Sequence, residues 1–507
     1  MNENDYAIGR RKRPRGPNLK PVPVTQAESQ EGILDGQHRN STTSNDAALI
    51  VPPREELQVT TIPLALDTPL EDHALTYYMR FHIDVPQGLP EIVDDHMQFV
   101  FSSWCCNQSQ SVLDLAIHAV SHATFGRARK SNAALAVGRS KYSKALLKTN
   151  SALRNPFEAT DDEVLLAVML LSFYENSVLN RSSKVSSYSI QDIASPSFTH
   201  HDGAMAILQL RRQASNRTTY SLNLDKLVRR QLVRSLLLRS RSVPPWLEDG
   251  ALYGEHGLAL ELDRCMVAVA SLRQRAETLF MSYSNMLEPF GSDPLQNFRD
   301  ILVEAQEADD ILAMWAKSIP AEESCTVHSF KGHLHNGTSN RILNTTVHLY
   351  PTVGHAAMWN RYRALRLVVH DVMDKTLYVL MSTSNIDTKS ESLSVVTRFF
   401  MQRLADDLCA SIPYMLGLLE IGAGPGEDVT VTAKAQLSSP KETVKAITAS
   451  FLCWPLVMVA SVSSLPEKHL QYLRDCLLDV SEIVDDGVLE KVAMGGSSVS
   501  HGLVSKS

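Results

Sequence analysis

Paired cysteines are missing from this chain. Its seven cysteines fall at 105, 106, 265, 325, 409, 453 and 476, and no Cys-x-x-Cys occurs among its 507 residues. A tetrahedral thiolate metal site of the usual kind therefore cannot be assembled locally. An odd count without paired spacing, in a chain with no signal peptide, fits a reducing compartment. Equally absent are a Gly-x-Ser-x-Gly elbow and a Walker-type phosphate loop, which leaves nucleophilic catalysis and nucleotide hydrolysis without local support. No internal repeat of fixed period is visible, so a regular solenoid is not expected. Long apolar runs are scarce too. The longest uncharged one, Ala446 to Leu465, reaches membrane length but carries Thr448, Ser450, Pro455, Ser461, Ser463 and Ser464. It reads as a buried core helix.

What is present is ordinary for a folded protein: 44% apolar and 21% charged residues, enough to bury a sizeable core. The net charge is -7, yet residues 10 to 20 hold six basic residues and no acid, so the remainder carries about -13 by subtraction. An acidic body is poorly suited to hold duplex DNA, whose phosphates demand clustered Lys and Arg. The exception is the segment Arg10, Arg11, Lys12, Arg13, Pro14, Arg15. It suits a nuclear import signal; a short arm touching nucleic-acid backbone and a solvated tail are the other readings.

Residues 1–70 are rich in Pro, Gly, Ser, Asn and charge and show no apolar periodicity, which predicts a disordered tail. Residues 496–507 are expected to form a second one. From Asp72 onward apolar residues return at helical spacing, predicting helices near 73–82, 90–104, 109–128 and 133–153. A capping box, Thr160 to Glu163, precedes the apolar stretch Val164 to Leu171 and predicts a helix at the centre of an α-helical layer. Leu473, Leu477, Val480 and Val484 predict one long helix over 464–490. Breaks rich in Ser, Gly or Pro lie near 181–197, 241–257, 318–352 and 422–442. The expected fold class is all-α.

Several local patterns then recur in a telling order. Leu165-Leu166-Ala167-Val168-Met169-Leu170-Leu171 ends in Tyr174-Glu175 and is followed by His200-His201-Asp202-Gly203-Ala204. Leu238-Arg239-Ser240-Arg241 leads to Val243-Pro244-Pro245-Trp246. Next come Trp359-Asn360-Arg361-Tyr362-Arg363, continuing to His370, then Ser411-Ile412-Pro413-Tyr414-Met415-Leu416-Gly417 and Trp454-Pro455-Leu456. Together these resemble the fungal-specific transcription factor domain, the helical regulatory region downstream of fungal zinc clusters, over roughly 70–495. The resemblance implies a nuclear regulator that senses a small-molecule effector or docks onto other transcription factors or co-regulators, of the kind that controls a metabolic or secondary-metabolite pathway. The family's zinc cluster has no counterpart here, the first cysteine being Cys105. DNA contact would then be indirect, unless the sequence begins downstream of a lost module and the protein is a DNA-binding zinc-cluster activator.

Physically, those segments read as architecture. Gly203 would let two helices approach closely, Pro244 and Pro245 would stop a helix, and Trp359, Tyr362, Leu365 and Val369 share one face. Arg363, Arg366 and His370 stand one turn apart; they read as helix bridges, with an anionic effector site as the sharper alternative.

Three enzyme signals compete. Leu418 to Gly426 resembles the first cofactor-binding motif of methyltransferases that use S-adenosylmethionine, but it sits 81 residues from the C-terminus, too few for the further strand and helix units such a domain needs. Leu416 to Leu419 are expected in a helix, with the glycines in a loop. Asp94-Asp95 and Asp309-Asp310 lack the further acid one turn on that a Mg²⁺ diphosphate clamp requires. His118 and His122 have the spacing of a zinc pair, but Ala119 stands where a metalloprotease needs its base, so they read as a partly buried histidine pair. No catalytic, cofactor-binding or metal-binding residue is assigned, no cofactor is implied, and no membrane association is expected.

Overall fold

A computed structural model describes residues 68–84, 110–179, 189–213, 217–284, 294–329, 342–343, 345–383, 388–423, 429–433, 444–462 and 464–495. All of them fall in a single compact unit. The basic segment, the helix expected at 90–104, Asp94 and Asp95, Cys105 and Cys106, and residues 496–507 lie outside the described residues.

Local chemistry sets most helix starts. Helix α1 (Leu70–Tyr78) follows Pro69 and continues as a π turn over Met79–Ile83. Helices α2 (Val112–Arg129) and α3 (Asn132–Ala152) begin at Ser111 and Ser131, whose hydroxyls accept from the amides of Asp114 and Ala134. Each cap satisfies a backbone donor that the first helical turn leaves over. Between them Lys130 takes up a left-handed conformation, φ 53°, and turns the chain back so that α3 lies against α2. Next are α4 (Asp162–Val178), the single turn α5 (Ile190–Ile193) and α6 (Ser195–Arg211). Helix α7 (Thr219–Leu238) is capped by Thr218, and α8 (Pro245–Glu248) opens behind Pro244.

The second half brings the long helices α9 (Gly257–Ser284) and α10 (Pro294–Ser318), the strand pair β1 (Thr326–Ser329) and β2 (Thr346–Leu349), then α11 (Val353–Thr383) and α12 (Thr388–Met415). A second pair, β3 (Leu419–Ala423) and β4 (Val429–Ala433), precedes α13 (Ala446–Ala460), α14 (Glu467–Ile483) and α15 (Gly487–Gly495). Both strand pairs are antiparallel and two-stranded, so among the described residues the fold is all-α in class, with fifteen α-helices.

Two helices form the interior. Every residue from Val164 to Leu171 is buried, as an apolar-all-round helix requires; α4 touches α2, α3, α6, α7 and α15. Helix α11 does the same for α9, α10, α12 and α13. On it Tyr362, Leu365 and Val369 are buried, and Trp359 meets Tyr362 edge-on with ring centroids 5.5 Å apart. One apolar cluster runs through both groups. Helix α13 is buried over most of its surface but ends at Ala460, and no helix among the described residues is long and apolar enough to cross a membrane.

Four local expectations are corrected. Helix α4 starts at Asp162, with Asp161 at the cap position and no side-chain cap bond. Thr160 instead gives its carbonyl to the buried Arg211 guanidinium. The single helix expected over 464–490 is two, because Asp485 is left-handed (φ 56°) and Asp486 caps α15, accepting from the amides of Val488 (2.7 Å) and Leu489 (3.0 Å). Helix α12 stops before Leu416 at a left-handed Gly417 (φ 63°), and Leu419 is already in β3. Gly203 serves no close approach, since a Cβ there would meet nothing within 4 Å. The close approach belongs to Gly138, where a Cβ would stand 3.2 Å from the Ala119 carbonyl oxygen of α2.

Candidate functional site

The residues singled out from sequence are tied into the fold. Arg366 grips Asp309 of α10 with two bonds, Nε at 2.6 Å and Nη2 at 2.7 Å, and donates to Tyr362 Oη at 2.8 Å. His370 Nε2 lies 3.1 Å from the same carboxylate. Burial opposes ionisation of Asp309, but His370 and Arg366 hold its carboxyl well below the usual range. Arg363 donates to Tyr350 Oη (2.6 Å) and Asn360 Oδ1 (2.9 Å) and is buried. Arg366 and His370 thus bridge α11 to α10, whereas Arg363 ties α11 to β2 and the residue after it. Cationic side chains in such bonds are shielded from solvent, and their geometry is fixed by partners within the chain.

His118 and His122 form a buried pair with ring centroids 6.0 Å apart. His122 Nδ1 is 2.7 Å from the His118 carbonyl oxygen, and His118 lies between Glu71 (3.2 Å) and Asp114 (3.4 Å). Burial lowers the pKa of both. Among the described residues no group of three His, Cys, Asp or Glu is placed to hold a metal ion. The glycine motif does not form the strand, turn and helix of a cofactor site: Leu419–Ala423 pairs antiparallel with Val429–Ala433, Ile421 opposite Val431. Gly424 to Gly426 lie outside the described residues.

One concave site was not assigned from sequence. A cavity of about 300 Å³ lies between α1, α2, α4, α5, α6, α7, α11, α13 and α15. Helix α4 contributes Ser172, Phe173 and Asn176; α6 contributes Phe198 and His201; α7 contributes Arg234, Ser235 and Leu238. Arg361 comes from α11, and Phe451, Trp454 and Pro455 from α13. The pieces at 165–175, 200–204, 238–246, 359–370 and 454–456 thus each supply at least one wall residue; the piece at 411–417 does not. No sequence signal marks Asn176, whose partner Asp486 stands 310 residues away in the chain.

Its polar groups are placed by the helices. His201 Nδ1 lies 2.9 Å from Ser235 Oγ. Burial, then the neighbouring Arg239, pushes the His201 pKa down to about 4, so the ring is uncharged at neutral pH. Asp486 accepts from Asn176 Nδ2 at 3.2 Å besides the two amides of α15. A small adjoining cavity of about 30 Å³ shares Arg234 and Arg361 with the first and adds Arg230, Glu255 and Asp263. There Arg230 bonds Glu255 twice at 2.6 Å, and the fully buried Arg229 bonds Asp263 at 2.7 and 2.8 Å. The lining combines apolar side chains with Arg234, Arg361 and short hydroxyl and amide side chains.

Compared with known protein families, with curated proteins and with solved structures, the chain gives no match.

Proposed function

We propose that this chain is a nuclear regulatory protein whose helical body takes up a small-molecule effector and docks onto other transcription factors or co-regulators, so that its contact with DNA is indirect. One observation carries the reading. The segments that resemble the fungal regulatory domain are spread from 165 to 456, yet most of them meet around one cavity. Architecture alone gives no reason for that convergence, because core residues need only fill space. A chamber at the lower end of the size range of ligand sites, mostly apolar with a few polar groups, is the usual form of a small-molecule site. The acidic body accords with indirect DNA contact, and a metabolic or secondary-metabolite gene set is the target class that the resemblance implies.

The test uses the whole chain as a fluorescent fusion and, separately, tethered to a foreign DNA-binding module upstream of a reporter gene. Nuclear accumulation and altered reporter output are expected. Replacing Arg10, Arg11, Lys12, Arg13 and Arg15 by Ala should move the fusion out of nuclei. A fusion that stays cytoplasmic from the start, together with an unresponsive reporter, overturns the proposal.

A further inference from the structure

We propose that this chain associates with a second copy of itself, the basic outer face of α3 in one copy lying against the acidic outer face of α10 in the next. The case starts in the sequence. Between Asp114 and Glu158 stand eight Lys and Arg and not one acid, in a chain whose net charge is -7. Folding puts three of these cations to internal use: Arg127 pairs with Glu490, Lys141 with Glu71, and Lys148 bonds the Gln110 carbonyl. Among the described residues no carboxylate pairs with Arg129, Lys130, Arg139, Lys144 or Arg154, and all five are exposed. Large apolar side chains face water beside them. Leu147 on α3 is 72% exposed, and Leu153 and Phe157 just after the helix are 40% and 87% exposed.

The complement lies on α10. Asp300, Glu307 and Asp310 are exposed there and pair with no cation among the described residues. Interleaved with them, Val303, Ile311 and Met314 are 53%, 50% and 60% exposed. Helix α3 packs chiefly on α2 and α4, and α10 chiefly on α9 and α11, so both rows are turned outward. They match in length and in order. Arg139 to Lys148 spans about 14 Å of α3 and Asp300 to Asp310 about 15 Å of α10, at ~1.5 Å per residue. Each row turns apolar toward its C-terminal end, at Leu147 to Phe157 in one and at Ile311 and Met314 in the other. Laid side by side in the same chain direction, they bring charge to opposite charge and apolar to apolar. Nucleic acid fits this face less well, since phosphates answer the cations but give the exposed leucines and phenylalanine nothing to pack on.

Exposed charge pairs contribute little singly, and a helix face of about 300 Å² (~32 Å by ~10 Å) is well below the roughly 800 Å² per partner of a stable interface. The contact is therefore weak and salt-sensitive. It is also heterologous: a copy that gives its α3 keeps its α10 free, so association continues past the pair unless it closes into a ring.

Sedimentation equilibrium of the full chain from about 10 μM to about 1 mM covers the range in which a weak contact fills. In about 0.1 M NaCl the weight-average mass should climb with concentration, and in about 1 M NaCl, where the screening length drops from ~10 Å to ~3 Å, it should return toward the monomer. Lys144→Glu with Lys148→Glu, or Glu307→Lys with Asp310→Lys, should weaken association at least tenfold, because like charges then face each other. All four reversals in one chain should restore it, and the two reversed chains when mixed should associate with each other though neither does with itself. A monomer at every concentration, association of parental strength in either reversed chain, or no recovery in a folded chain with all four reversals overturns the proposal. So does saturable binding of duplex DNA or anionic phospholipid vesicles by a chain that stays monomeric, where Lys144→Glu with Lys148→Glu abolishes it. The salt series on the unaltered protein stands even where a variant fails to fold.

Discussion

Single side chains carry much of the specificity of this interior, and the arginines of α7 show how. Arg229 is fully buried, and its guanidinium is met by the Asp263 carboxylate and by the carbonyls of Leu247 (2.9 Å) and Glu248 (2.8 Å). It joins α7 to α9 and to the turn around α8 at once. Removing one member of such a pair leaves the other charged and dry, which costs about 3–5 kcal/mol, whereas removing both is far milder. Arg229→Ala should therefore lower the unfolding free energy by about 3–5 kcal/mol in urea titrations, and Arg229→Ala with Asp263→Ala should recover part of the loss. A single variant within about 1 kcal/mol of the parent would show that the pair is not closed in solution. This layer was almost illegible in the sequence. Arg366 and His370 were visible as a charged row on a helix, but Asp309, which decides their role, stands 57 residues before Arg366. Only folding brings it there. The same holds for the cavity, whose walls come from nine helices and whose residues, taken singly, look like any other core or cap position.

At the scale of elements the sequence was far more readable, because periodicity and caps are local. Helices α2 and α3 lie within three residues of where apolar spacing put them, and the all-buried α4 follows from its unbroken apolar run. The misplaced boundaries have local causes of another kind: left-handed residues at Gly417 and Asp485, an aspartate cap at Asp486, and a strand where leucines had looked helical. Such features turn on backbone conformation, which composition barely signals. Glycine makes the contrast testable. Gly203 lies inside α6 with open space where a Cβ would go, so Gly203→Ala should stabilise by about 0.5–1 kcal/mol through helix propensity. At Gly487, the first residue of α15, a Cβ would stand 2.3 Å from the Leu179 carbonyl oxygen and 2.9 Å from Arg127 Nη1. Gly487→Ala must push α15 away from the end of α4 and should cost about 1–3 kcal/mol. Thermal midpoints of the two variants should move in opposite directions; movement in the same direction would mean that α15 does not dock as described.

For the molecule as a whole, burial of histidine sets a pH response. His118, His122, His200, His201, His348 and His355 all have pKa values lowered, in each case first by burial. In the unfolded chain a histidine takes up its proton near pH 6.5. Below that pH the unfolded state binds more protons than the folded one, and stability falls as pH falls. Their contribution is intact above about pH 6.5 and is lost progressively down to each folded value, about 4 for His201 and His348. Within its window each histidine costs up to about 1.4 kcal/mol per pH unit. Asp161, Asp263, Asp371, Asp407 and Asp486 act with the opposite sign: burial raises their pKa values, so protonation relieves a penalty as the solution becomes more acidic. The histidine effect should therefore dominate the first step of acidification, with the carboxyls offsetting part of it lower down. Thermal midpoints measured from pH 8 to pH 5.5 should stay level to about pH 6.5 and then decline. In His201→Gln, which keeps a hydrogen-bonding group beside Ser235 but cannot titrate, the decline should be shallower. A decline of equal slope in that variant would place the proton uptake elsewhere than the cavity wall, and a level profile throughout would mean that these imidazoles are open to water.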